Sequence, residues 1–177
     1  ELPEVVTKQC DVTNAVQVEI VIREIAESRG SIDILVNSAG VIMNAPLVQF
    51  TPEGFKKHSV DAWDLVMRTN LSSVFIVSSN VVEKMISRRT RGVVINITSV
   101  CAAGNAGQSA YSAAKAVVVA LTRTWSKELG PFGIRVVAVA PGFIDTPSTT
   151  QALAGNHLKE WTQKVPLRRL GRPQEVS

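Results

Sequence analysis

Tyr111 and Lys115 stand four residues apart in the run Tyr111-Ser112-Ala113-Ala114-Lys115, a spacing that places both side chains on one helix face. An ammonium beside a phenol favours the phenolate and draws a pKa that starts near ~10 toward neutral pH. A tyrosine tuned in this way can give a proton to a carbonyl oxygen or take one from an alcohol. The pair is expected in the first turn of a helix entered from a small-residue loop. That loop carries a hydroxyl, Ser99, twelve residues before Tyr111, and the chain has no second tyrosine.

The elements that must position these groups follow from the apolar pattern. Val5 to Cys10 is a β-branched run ending at Asp11 and is expected as a strand. Thr13 or Asn14 is expected to cap a helix through about Arg29, stopped by Gly30. Ile32 to Asn37, Val93 to Ile97 and Ile134 to Ala140 are nearly continuous apolar runs and are expected as buried strands. Asp61 is expected to cap a long helix reaching about Ile86, and a second runs from about Ala110 to Leu129. Strands separated by helices of this length imply βαβ units and a parallel sheet covered on both faces. In such a sheet ligands lie beyond the carboxyl ends of the strands. That rule selects Asp11, Asn37 to Gly40, Thr98 to Gly107, and Pro141 to Thr146.

Composition narrows the class. The chain has 177 residues, 45% hydrophobic and 19% charged, which is ordinary for a globular protein. A net charge of +4, scattered along the chain, does not argue for nucleic acid. No continuous apolar run approaches the roughly 18 residues of a membrane span, so no membrane partner is expected. Cys10 and Cys101 lie far apart and form no Cys-x-x-Cys pair. Neither a disulfide nor a metal site is expected, and a reducing, cytoplasmic compartment is.

In their order along the chain these motifs resemble those of the short-chain dehydrogenases/reductases. Asn37-Ser38-Ala39-Gly40 is similar to the family's Asn-Asn-Ala-Gly, and Asn70 in Thr69-Asn70-Leu71 to its helix asparagine. Asn96-Ile97-Thr98-Ser99 resembles the strand that delivers the catalytic serine, and Tyr111 and Lys115 its Tyr-x-x-x-Lys. Pro141-Gly142-Phe143-Ile144-Asp145-Thr146 resembles the loop at the nicotinamide end of the cofactor, and Arg169-Leu170-Gly171-Arg172-Pro173 the closing segment before the last strand. The resemblance implies an α/β fold, a Rossmann-like doubly wound parallel sheet, with NADP or NAD as cofactor and NADP favoured.

The roles it implies are specific. Tyr111 is the general acid or base, and Lys115 tunes it and binds the ribose hydroxyls. Ser99 holds the substrate oxygen, and Asn70 holds a water linking Lys115 to solvent. Asp11 and the Val12 amide face the adenine, and Asn37, Ala39 and Gly40 lie along the adenosine ribose. Pro141, Gly142, Ile144 and Thr146 cradle the carboxamide. The family serine usually lies thirteen residues before the tyrosine, where this chain has Thr98; the Asn-x-x-Ser pattern favours Ser99. A segment around Phe50 to Ser59 is additional and reads as an exposed, hairpin-like excursion.

The glycine-rich phosphate loop and the closing strand of the family pattern are not among these residues. The chain is therefore expected to be a single dinucleotide-binding and catalytic domain over 1–177, incomplete at both ends. Gly104-Asn105-Ala106-Gly107-Gln108 and Pro166 to Gly171 are similar in cadence to family members that reduce carrier-bound 3-oxoacyl chains. This implies reduction of a ketone to a secondary alcohol, with an acyl carrier protein as possible partner. Arg88, Arg89 and Arg91 are candidates for a basic docking face. A sugar or polyol dehydrogenase is the alternative within the family, and a non-catalytic binding relative the alternative outside it. Ser148 to Leu167, with Ala152, Leu153 and Trp161, is the expected substrate lid. The two long helices resemble those through which family members pair, commonly into homotetramers.

Overall fold

A computed structural model of the chain describes residues 5–147, 149, 161–163 and 165–176. Its first regular element is α1 (Ala15–Arg29). Asn14 is the cap: its side-chain oxygen accepts the Val16 and Gln17 N–H groups, both at 3.1 Å. Gly30 ends the helix at φ 81°, a left-handed conformation that glycine adopts without a Cβ penalty. Val5 to Cys10 departs from expectation, running irregular and largely exposed ahead of this helix. A strand needs a neighbouring edge to complete its ladder, and no described segment pairs with this one. It is tethered instead by Lys8, whose ammonium bonds Glu24 on α1 at 2.8 Å.

β1 (Ile34–Asn37), β4 (Val93–Ile97) and β5 (Arg135–Val139) form a three-stranded parallel sheet in the order β1-β4-β5. Between β1 and the next helix stands the expected hairpin, β2 (Val48–Thr51) against β3 (Gly54–Lys57). Phe50 and Phe55 meet edge to face across it at 5.4 Å, yet stay 76% and 80% exposed, so it adds little to the core.

The long helix is two helices joined by a wide turn. α2 (Val60–Met67) is capped by Ser59, whose hydroxyl accepts the Ala62 N–H at 3.3 Å, and not by Asp61. Asp61 falls in the first turn, where a carboxylate complements the helix dipole. A π turn, Arg68–Ser72, leads into α3 (Ser73–Ser87). By length and composition alone Val60–Ser87 is apolar enough to span a bilayer. Here its buried residues, among them Val66, Val74, Val81 and Met85, face the interior of the fold.

α4 (Ser109–Leu129) completes the layer. Val81, Met85, Val94, Ile134 and Val136 form the main core, flanked by Leu35, Trp125 and Leu129. The core thus lies on one side of the sheet, between the strands and α3 and α4. The fold is α/β and Rossmann-like, with one correction: the described residues cover the sheet on one face only. Ile34 and Val36 on the other face are 62% and 51% exposed, and Val137 and Val139 beside them are exposed as well.

Within this layer runs a buried polar chain. The Asn37 amide donates to Ser78 Oγ at 2.9 Å and to Asn96 Oδ1 at 2.8 Å, and the Asn96 amide donates to Thr122 Oγ1 at 2.9 Å. Hydrogen-bonded buried amides of this kind carry little desolvation penalty, and they fix the register of β1, β4, α3 and α4 against one another.

Candidate active site at the carboxyl ends of the strands

β4 ends at Ile97, and the two hydroxyls that follow it have separate fates. Thr98 Oγ1 turns inward and donates to the Lys115 carbonyl at 3.0 Å, fastening α4 to the strand. Ser99 is extended, and its oxygen accepts the Cys101 N–H at 3.1 Å, starting a 3-10 turn over Val100–Ala103. Ser99 also hydrogen-bonds the Tyr111 phenol. Of the two candidate hydroxyls, Ser99 is the one that faces the tyrosine. The strand-end pairing continues past both: Thr98 N–H donates to Val139 at 2.8 Å and Val100 N–H to the Pro141 carbonyl at 3.1 Å. The serine loop and the proline loop are therefore held together.

Tyr111 lies half-buried in the first turn of α4, with the Lys115 nitrogen 5.8 Å from its ring centre. Lys115 is only 5% exposed and donates to the Ile97 carbonyl at 2.7 Å. Burial lowers its pKa. The expected lowering of the Tyr111 pKa by this ammonium is corrected by the geometry. Burial raises the phenol pKa most, the hydrogen bond from Ser99 opposes it, and the nearby Cys101 thiol raises it further. Desolvation wins, and at neutral pH the phenol is held protonated.

Asn70 is fully buried in the π turn, and its side chain grips the backbone of Val41. Oδ1 accepts the Val41 N–H at 2.7 Å and Nδ2 donates to the Val41 carbonyl at 2.8 Å. This locks the loop after β1 onto the helix, and the side chain is committed to that loop. Gly40 stands between the two groups: a Cβ there would meet Asn70 Oδ1 at 3.1 Å and the Lys115 nitrogen at 3.9 Å. Glycine lets the loop lie close to both.

The expected cofactor residues divide. The Asn37 side chain is buried in the polar chain described above, so only its backbone remains for a ligand. Ala39 and Gly40 are exposed beside it. Val12 shares a small cavity of about 80 Å3 with Asn37, Ser38 and Ala39. Asp11 closes a turn, accepting the Thr13 N–H at 2.9 Å and its hydroxyl at 2.8 Å, which lowers its carboxyl pKa. Past β5, Gly142, Phe143 and Ile144 line a cavity of about 430 Å3 with Val100, Trp161 and Leu167. Phe143 and Trp161 stack at 4.5 Å. Thr146 Oγ1 accepts the Thr149 N–H at 3.2 Å, as a helix cap does. Of the expected lid, Ala152 and Leu153 lie outside the described residues.

Sequence reasoning missed Gln108. Its amide donates to Asn44 Oδ1 at 2.9 Å and accepts from Asn105 at 2.8 Å, tying the loop before Tyr111 to the chain after β1. No spacing signals a partner 64 residues away. Arg88 has a structural task, donating to the Ala26 and Gly30 carbonyls at the end of α1. With Arg89 and Arg91 it leads into β4, so within one chain the trio stands a strand's length from Ser99.

A buried lysine, a protonated phenol and a serine at a strand end, between two small-residue loops, is the arrangement of a short-chain dehydrogenase/reductase. A family model described as enoyl-(acyl carrier protein) reductase matches residues 1–177, and the chain belongs to that family within the short-chain dehydrogenases/reductases. It is 41% identical over 168 residues to a 3-oxoacyl-[acyl-carrier-protein] reductase of Thermotoga maritima, covering 94% of this chain and 64% of that one. The similarly named protein of Synechocystis is 38% identical over 175 residues, covering 98% and 66%. The crystal structure of gox2181 superposes with a TM-score of 0.84 at 31% identity, over 94% of this chain and 63% of that one. The chain thus spans about two thirds of the length of these relatives.

Proposed function

We propose that residues 1–177 form one unit carrying the proton-transfer centre and part of the cofactor cradle of an NAD(P)-dependent reductase, which converts a ketone to a secondary alcohol. The observation that carries this reading is the Ser99–Tyr111–Lys115 cluster at the end of β4. In the proposed reaction Ser99 holds the substrate oxygen, and Tyr111 gives that oxygen its phenolic proton. A nicotinamide, when bound, supplies the hydride. Lys115 binds the ribose hydroxyls and replaces the phenolic proton. With its side chain on Val41, Asn70 acts in that relay through the backbone of the π turn, a kind of turn frequent at functional sites. Asp11, Val12, Asn37, Ala39 and Gly40 line the adenosine side, and Pro141, Gly142, Ile144 and Thr146 the carboxamide side.

The substrate proposed is a carrier-bound 3-oxoacyl chain, with NADP as the favoured cofactor and an acyl carrier protein as partner. The names of the relatives support this. So does the cavity past β5, where Val100, Phe143, Ile144, Trp161, Val165 and Leu167 offer apolar contact to an acyl chain beside the charged Arg169 and Glu175. We place the enzyme in the cytoplasm as a homo-oligomer, a tetramer by family habit. An apolar groove of about 600 Å3 between α3 and α4, lined by Phe75, Val82, Ile86, Trp125 and Leu129, offers the pairing surface. The test is an assay of the full chain on acetoacetyl thioesters and on simple polyols with NADPH and NADH. Thioester reduction is expected. Activity on polyols alone would move the assignment to a polyol dehydrogenase, and no activity with no cofactor binding would leave a non-catalytic relative.

A further inference from the structure

The loop after β5 is joined to the serine loop at its start, where Val100 N–H donates to the Pro141 carbonyl, and is bridged further along by Gly171. Gly171 donates its N–H to the Phe143 carbonyl at 2.9 Å and accepts the Asp145 N–H at 2.8 Å, forming an isolated parallel bridge opposite Ile144. Gly171 packs closely there: a Cβ would stand 2.7 Å from Ile144 Cδ1, so a side chain would require the end of Ile144 to shift. The residues flanking Gly171 are closed on each other. Arg169 gives both guanidinium nitrogens to Glu175, at 2.8 Å and 2.7 Å, and Glu175 Oε2 also accepts the Arg172 N–H at 2.6 Å. A two-pronged Arg–carboxylate contact fixes direction as well as distance. Isolated surface ion pairs contribute little, but this one joins partners six positions apart with the bridging glycine between them. Arg169 and Glu175 also line the same cavity as Gly142, Phe143 and Ile144.

We propose that Arg169 and Glu175 are positioning residues: their clasp holds Gly171 in place, and through it sets the Gly142–Thr146 loop against the nicotinamide end of the cofactor. The inference rests on the reading of that loop given above. Loosening the clasp acts on cofactor affinity and leaves proton transfer by Tyr111 untouched.

The experiment uses the full chain with Glu175→Gln, which keeps an acceptor for the Arg172 N–H and removes the charge, and with Arg169→Lys, which keeps the charge and removes the fork. Hydrogen exchange at the Asp145 and Gly171 amides is read without cofactor, and the Kd for NADPH is measured by titration. Glu175→Gln is expected to speed both amides by roughly two- to fivefold and to raise the Kd by a similar factor. The Val94 and Val136 amides keep their parental exchange rates, and Arg169→Lys falls between the parent and Glu175→Gln. Unchanged exchange at Asp145 and Gly171 would overturn the proposal, as would faster exchange with a parental Kd. Equal acceleration at Val94 and Val136 would overturn it too, by showing general loosening. A parent chain that binds no nicotinamide cofactor would overturn the loop's proposed task, and the clasp's role with it.

Discussion

The proton-transfer cluster and the loop rim beyond β5 are built in opposite ways. Ser99, Tyr111 and Lys115 sit where a strand and a long helix meet, and each contact is backed by another from a different element. Thr98 bonds the carbonyl of Lys115, Lys115 bonds the carbonyl of Ile97, and Asn70 and Gln108 fasten the neighbouring loops. The described residues of the rim beyond β5 are joined loop to loop, through the Val100–Pro141 bond, the Gly171 bridge, the Phe143–Trp161 stack and the exposed Arg169–Glu175 pair. Groups that move a proton must be placed to a fraction of an ångström, and regular elements do that best. Groups that shape a site to its ligand can stand on loops, where change costs the fold little.

The contrast is sharpest in the expected mutant effects. Tyr111→Phe should cost the most, about 10²- to 10⁴-fold in turnover, since it removes the proton donor and keeps the ring. Ser99→Ala should follow, with a loss of about 10²- to 10³-fold in kcat. Thr98→Ala, one residue away, should instead lower stability, by roughly 1 kcal/mol in urea unfolding, while turnover stays within several-fold of the parent. If the two adjacent hydroxyls proved interchangeable in the kinetics, the assignment of Ser99 would be wrong. Asn70→Ala leaves the part-buried Val41 N–H and carbonyl without their Asn70 partners and should destabilise by about 1–3 kcal/mol.

Smaller effects come from titration. Because Tyr111 is the chain's one tyrosine, ultraviolet absorbance reports its ionisation without interference from another phenol. With its pKa raised by burial, the midpoint in cofactor-free protein should lie above ~10. A midpoint below that value would restore control by Lys115. On the rim, Glu175 is lowered to about 2 by Arg169 and then by the Arg172 N–H. A depressed carboxylate contributes fully above its unfolded pKa, so the clasp should be constant through the neutral range and fade only as pH falls from 4.5 toward 2. Cofactor affinity measured down that acid range checks it.

Much of the buried half was legible in the chain. Asn14 and Gly30 bracket α1 because cap and stop chemistry is local, and Val93–Ile97 reads as a strand because both its faces are apolar. The Phe50–Phe55 hairpin follows from the Pro52 and Gly54 turn between its strands. Features set by distant partners were not legible. Val5–Cys10 has strand character without a described edge to join. The π turn at Asn70 answers to Val41, 29 residues back. The direction of the Tyr111 shift depends on how deeply the ring is buried, which a four-residue spacing does not contain.

The central claim is that Tyr111, held protonated at the end of β4, delivers the proton during ketone reduction. It is tested most directly by measuring kcat and NADPH affinity on one preparation of the full chain carrying Tyr111→Phe. The account predicts a turnover lower by at least about a hundredfold with the Kd for NADPH close to parental. Turnover within about tenfold of the parent, in a chain that still binds the cofactor, would contradict it.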